Sequence, residues 1–173
     1  MISLRVAAPA DAALLAALAR RTFHDAYARS DPPPTNLQVH MDRHFGEQQQ
    51  AAELADAGMT TLMVEDDGIA IGYALLTMGD APECVVGAAP IQIRRFYLEQ
   101  AWTARGVAQQ LMAATEVEAR RRGGQTLWLV AWSRNYRALA FYRKCGFAVV
   151  GTMPYHFGNT VEFDTVMARA ISP

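Results

Sequence analysis

With 173 residues, 51% of them hydrophobic and 19% charged, the chain can bury one sizeable core, and its length fits a single domain over residues 1–173. A formal net charge of −1 excludes the strongly basic surface of a non-specific nucleic-acid binder. No apolar run approaches the ~18 residues of a membrane span and Met1–Val6 lacks a signal-peptide core, so the cytoplasm is the expected location, without nucleic-acid or membrane partners.

Ile2–Val6 alternates like a short strand. Pro9 suits the first turn of a helix on which Leu14, Leu18 and Arg21 fall on successive turns, and Asp31-Pro32-Pro33-Pro34 ends it. A weaker helical region spans Asn36 to Ala57. Thr60–Glu65 and Ile69–Met78 read as strands joined by the turn Asp66-Asp67-Gly68. After a loop from Asp80 to Pro90, Ile91–Leu98 is a strand, and Gly106–Arg122 is a helix with Val107, Leu111 and Ala114 on one stripe. Leu127–Trp132 is apolar enough for a central strand, and Asn135–Lys144 is a helix that Gly146 can end. Phe147–Val150 and Val161–Met167 are two last strands around a loop from Gly151 to Thr160. The order is a mixed α/β architecture.

Cys84 and Cys145 have neither CxxC spacing nor a His cluster nearby, so neither a metal nor a disulfide is expected. Cys145 reads as a small buried hydrophobe. Arg120-Arg121-Arg122 reads as a solvated helix end whose cations oppose the C-terminal dipole.

Two segments carry chemistry. At Thr103-Ala104-Arg105-Gly106-Val107-Ala108 a strand gives way to a helix whose first N–H groups have no intrahelical acceptor. Small residues there let a phosphate approach the backbone, and Arg105 adds a forked cation. An ordinary strand–helix turn is the competing reading. The segment is neither GxxxxGK[ST] nor GxGxxG, which argues against nucleotide triphosphates and dinucleotides. Further on, Asn135, Ala138 and Tyr142 fall on one helical face beside the apolar Leu139 and Phe141. Alternatively, Asn135 is a helix cap and Tyr142 a core aromatic.

Together these segments resemble the GNAT superfamily of acyltransferases, whose cofactor motif is [Gln/Arg]-x-x-Gly-x-[Gly/Ala] at a strand–helix turn. Here it reads Thr103 to Ala108, followed by Asn-x-x-Ala-x-x-x-Tyr at Asn135–Tyr142 and by Gly146-Phe147. The resemblance implies the GNAT-like fold: a mixed sheet splayed at its middle with helices on both faces. It implies an N-acetyltransferase that uses acetyl-CoA as co-substrate, without metal, and acts on a small-molecule amine. A homodimer is compatible with it. Thr22-Phe23-His24-Asp25-Ala26-Tyr27 and Asp164-Thr165-Val166-Met167 resemble the small bacterial members that acetylate polyamines. By this resemblance Thr103–Ala108 holds the pyrophosphate, and the pantetheine arm bonds the backbone near Phe96 and Leu98. Asn135 touches the cofactor edge, and Tyr142 faces the thioester sulfur as the catalytic acid.

Two positions depart from the pattern. Thr103 stands where the family usually has Gln or Arg, and Gln92 stands where several members place a catalytic Glu. An amide cannot take a proton at neutral pH, so the candidate bases are Glu99, His24 and His156, with a water relay as the alternative. Asp25, Asp42 and Glu162 are carboxylates able to attract a cation or simply surface groups. The rival functions are acetylation of a protein N-terminus or an antibiotic amine, and a non-catalytic acyl-CoA-binding module.

Overall fold

The computed structural model describes residues 1–27, 37–157 and 160–171. The Asp31–Pro34 break, Asn36 and Gly158 lie outside the described residues, as does the side chain of His156. Strands β1 (Ile2–Val6), β2 (Met59–Asp66), β3 (Ile69–Met78), β4 (Pro90–Leu98), β5 (Thr126–Ala131), β6 (Ala148–Phe157) and β7 (Thr160–Ala170) form one mixed sheet in the order β1-β2-β3-β4-β5-β7-β6. Five helices accompany them among the described residues: α1 (Ala12–Tyr27), α2 (Leu37–His44), α3 (Glu47–Ala55), α4 (Val107–Arg121) and α5 (Tyr136–Lys144). None is long and apolar enough to cross a membrane.

By packing, the chain divides into two compact units: Met1–Leu75 with Arg95–Leu111, and Leu76–Arg94 with Met112–Pro173. In the first, β1 runs antiparallel to β2, from Ile2 opposite Asp66 to Val6 opposite Leu62. Asp67 and Gly68 have φ of 47° and 81°, as a tight two-residue hairpin requires, and return the chain into β3. A 3-10 turn at Pro9–Asp11 opens α1. The buried stripe of α1 is Leu15, Leu18, Ala19, Thr22 and Phe23, whereas Leu14 and Arg21 are exposed. The stripe expected through Leu14 and Arg21 thus lies one ridge away, because Leu15 rather than Leu14 shares a face with Ala19 and Thr22. The single weak helical region expected from Asn36 is two helices, since Gly46 takes an extended φ of −75° and ψ of 156° that stops the ladder between them.

In the second unit β5 is parallel to β4 from Pro90↔Thr126 to Ile93↔Leu129 and antiparallel to β7. It is buried on both faces, as its apolar run implies. Val85 anchors the loop after β3 by packing with Trp128, Val166 and Ala168. The expected loop from Gly151 to Thr160 is mostly strand: β6 and β7 form a long hairpin with a bulge between Val149 and Gly151. Pro154 is tolerated there because β6 is the last strand of the sheet and Pro is confined to such edges.

Candidate functional site

The end of β4 is built by close approach. A Cβ on Gly72 of β3 would lie 2.7 Å from both Leu98 Cδ1 and the Tyr97 carbonyl oxygen, so only glycine lets the strand end sit where it does. The Glu99 N–H donates to the Ile71 carbonyl at 2.8 Å, which fixes the side of β4 that faces β3. Strand alternation then directs the Leu98 and Phe96 N–H groups away from β3.

Beyond Leu98 a 3-10 turn, Gln100–Trp102, carries the chain into Thr103–Gly106 and then α4. Ala104 and Gly106 have φ of 62° and 81° on either side of Arg105. A backbone that alternates in this way curls its N–H groups to the inside of the turn and forms an anion-binding concavity. A Cβ on Gly106 would meet nothing within 4 Å, so its surroundings are open and the requirement for glycine there is conformational. The first intrahelical bond of α4 runs from Gln110 N to Gly106 O at 3.2 Å, leaving the N–H groups of Val107, Ala108 and Gln109 without an acceptor inside the helix. No acidic residue occupies the first turn, so the helix itself places no negative charge against an anion at the positive end of its dipole. The Arg105 guanidinium rests over the Trp102 ring, 5.3 Å from its centroid. These residues fit a pyrophosphate.

The Thr103 departure has a local cause. Its hydroxyl donates to the Gln100 carbonyl at 2.8 Å and closes the 3-10 turn, so the side chain serves the turn.

In the second unit, Asn135 is the cap of α5, its Oδ1 accepting from Ala138 N at 3.1 Å. A ligand contact from Asn135 would therefore use Nδ2. Tyr142, buried, lies seven residues further on the same face, edge-on to Phe141 and Phe147 at 5.6 and 6.0 Å. Gln92 accepts from the Thr77 hydroxyl at 3.3 Å, an amide held as a structural hydrogen-bond partner.

Of the candidate bases, Glu99 Oε1 accepts both Arg21 Nη2 at 2.6 Å and Nε at 3.1 Å. His24 is exposed, 3.8 Å from the Asp25 carboxylate. Asp42 is taken by Arg20 and Gln38, and Glu162 by Trp132 and Arg134. Asp164 accepts from Ser133 N at 3.3 Å, and burial pushes its carboxyl up. Arg120 pairs with Glu116, and Arg121 and Arg122 with Glu118, so the arginine run is an ion-paired helix end. Burial pushes the Cys145 thiol up, away from reactivity.

Sequence reasoning missed a buried polar group behind β4. The Arg95 guanidinium, 8% exposed, donates to both oxygens of Glu53 at 2.5 and 3.0 Å and lies over the Phe45 ring. Close by, His40 stacks on Phe23 with centroids 5.0 Å apart. Desolvation, with the nearby cations of His44, Arg95 and Arg43, pushes its imidazole down to about 4. The only sequence signal was an arginine in an otherwise apolar register of a strand.

A family model described as the acetyltransferase (GNAT) family matches residues 20–147. An uncharacterized N-acetyltransferase of Mycobacterium tuberculosis (strain ATCC 25618 / H37Rv) is 32% identical over 164 residues, which cover 93% of this chain and 98% of the relative. Another from Lactobacillus delbrueckii subsp. lactis is 26% identical over 155 residues, 90% of this chain and 89% of that protein. Among solved structures, the PaiA N-acetyltransferase from Thermoplasma acidophilum in complex with coenzyme A has a TM-score of 0.78 at 19% identity, covering 99% of each chain. At that identity the likeness is one of fold.

Proposed function

The chain belongs to the acetyltransferase (GNAT) family, and on that premise we propose that it transfers an acetyl group from acetyl-CoA to a primary amine of a small molecule by direct attack. The observation that carries the reading is the start of α4: helix N–H groups with no acceptor inside the helix, two left-handed residues and an adjacent arginine, with no acid in the first turn. Thr103, Ala104, Arg105, Gly106, Val107 and Ala108 hold the pyrophosphate, and the Phe96–Leu98 edge holds the pantetheine amides. Asn135 meets the same arm through Nδ2. The whole chain works as one domain, a view supported by relatives matched over nearly their full length.

In this reaction the amine nitrogen forms a bond to the thioester carbonyl carbon, the carbon–sulfur bond breaks, and coenzyme A leaves as the thiol. The Leu98 N–H, aimed away from β3, stabilises the oxyanion. Tyr142 donates its phenolic hydrogen bond to the departing sulfur; an ordinary thiol has a pKa of about 8.5 against about 10 for the phenol, so a strong hydrogen bond suffices.

Only the neutral amine attacks, and with a pKa near 10.4 about one molecule in a thousand is neutral at pH 7.4, a barrier of roughly 4 kcal/mol. Gln92 cannot take the proton, Glu99 is occupied by Arg21, and His24 stands in solvent. We infer that water carries the proton, and because the side chain of His156 lies outside the described residues the test covers all three candidates. Below the amine pKa, kcat/KM rises about tenfold per pH unit, and Glu99→Gln, His24→Gln and His156→Gln keep that profile. A plateau near pH 6 to 7 that any of the three abolishes would assign a dedicated base.

Polyamines head the acceptor panel because Thr22–Tyr27 and Asp164–Met167 resemble the polyamine-acetylating members. The test is thiol release from acetyl-CoA against polyamines, amino acids, peptides and aminoglycosides. Turnover on a small amine is expected. Acetyl-CoA binding without turnover on any of them would make the protein a binding module.

A further inference from the structure

The Arg95–Glu53 pair joins two elements 42 residues apart in sequence, with 8% and 3% side-chain exposure. Its geometry is that of a fork against a carboxylate, the arrangement that fixes direction as well as distance. Arg95 Nη2 also points at the His44 carbonyl at 3.4 Å, and Gln50 Nε2 donates to the same oxygen at 3.1 Å. That oxygen belongs to the last residue of α2, an eight-residue helix too short to persist by itself. The cation thus sits at the negative end of the α2 dipole while its ring contact covers Phe45, the residue that follows.

What α2 carries gives the arrangement its consequence. His40 stacks on Phe23 of α1, and Phe23 meets Tyr97 edge-on at 6.0 Å. Tyr97 immediately precedes Leu98. An amine attacking a carbonyl held at the Leu98 N–H must come within about 3.5 Å of it, so groups that flank Leu98 flank the amine.

We propose that Arg95 is a positioning residue for the amine acceptor: through Glu53 and the His44 carbonyl it fixes α2 and α3 against β4, and so sets the wall of His40, Phe23 and Tyr97 beside Leu98. The inference rests on the acetyltransferase reading above. It differs from a plain stability role in predicting a split between the two substrates.

The test uses Arg95→Lys, Arg95→Met and the double variant Arg95→Met/Glu53→Met, with folding checked by circular dichroism and thermal unfolding. The double variant leaves no unpaired buried charge, and such replacements often fold as well as the parent. Both substrates are varied with the best amine of the panel, and acetyl-CoA binding is measured by calorimetry. The expected result is a KM for the amine raised about tenfold in the methionine variants, with acetyl-CoA Kd within about twofold and the lysine variant between. An unchanged amine KM in folded variants, or equal weakening of both substrates, would overturn the inference. A parent protein with no turnover on any amine would instead overturn the proposed function, and this inference with it.

Discussion

Tyr142 packs against Phe141 and Phe147 as a core aromatic, and its hydroxyl is proposed to serve the leaving sulfur. Tyr142→Phe separates the two roles. It keeps the ring, so thermal stability should hold, while kcat falls about 10- to 100-fold if the hydroxyl assists departure. Near-normal turnover in the folded variant would remove that role. Gly106 offers the converse case, for its site is open and its φ of 81° is what a side chain resists. Gly106→Ala costs about 1 kcal/mol of backbone strain, relieved by leaving the left-handed region and so by disturbing the turn. The expected readout is acetyl-CoA Kd raised severalfold with amine KM unchanged; binding of parental strength would detach Gly106 from the cofactor. Both positions stand out in the sequence because each sits in a motif of fixed spacing. The bond made by Thr103 does not, since a hydroxyl closing a 3-10 turn onto Gln100 leaves no mark in the spacing.

Elements read well where periodicity was local and poorly where partners were remote. The β2–β3 hairpin followed from Asp67-Gly68, and β5 from its unbroken apolar run. The β6–β7 hairpin was underestimated because Pro154 and Gly151 look like loop residues until the edge position and the bulge of β6 are known. The Arg95–Glu53 pair, joining β4 to α3, left only an arginine in the apolar register of β4 as its sequence signal. At β4 itself, Gly72→Ala drives a methyl against Leu98 and the Tyr97 carbonyl, so the strand end shifts; kcat/KM should fall about tenfold or more, and an unchanged value would show that this edge does not hold the reacting group. On α2, His40 is pushed down to about 4 in the fold from the ordinary 6.5. Between those values the unfolded chain takes up a proton that the fold refuses, so this contribution to stability is fully present above pH 6.5 and is lost as pH falls toward 4. The partly exposed ring tempers the effect to about 1 kcal/mol between pH 7.5 and 5. Urea unfolding at the two values should show a smaller difference in His40→Gln than in the parent, and equal differences would contradict the assignment.

At the scale of the whole molecule, the seven-stranded mixed sheet and the family match define an acetyltransferase, and what the chain acetylates is decided by groups brought together only on folding. Many of the carboxylates able to draw a polycation are already paired, Asp42 with Arg20, Glu99 with Arg21 and Glu53 with Arg95. Composition could not reveal that pairing, since it counts charges without saying which neutralise each other. The most direct measurement is therefore free-thiol release from acetyl-CoA by the purified protein, with each amine of the panel, alongside the thermal shift produced by acetyl-CoA alone. The account predicts a stabilising shift and amine-dependent release of coenzyme A, matched mole for mole by N-acetylated product. No shift with acetyl-CoA and no release with any amine would contradict it.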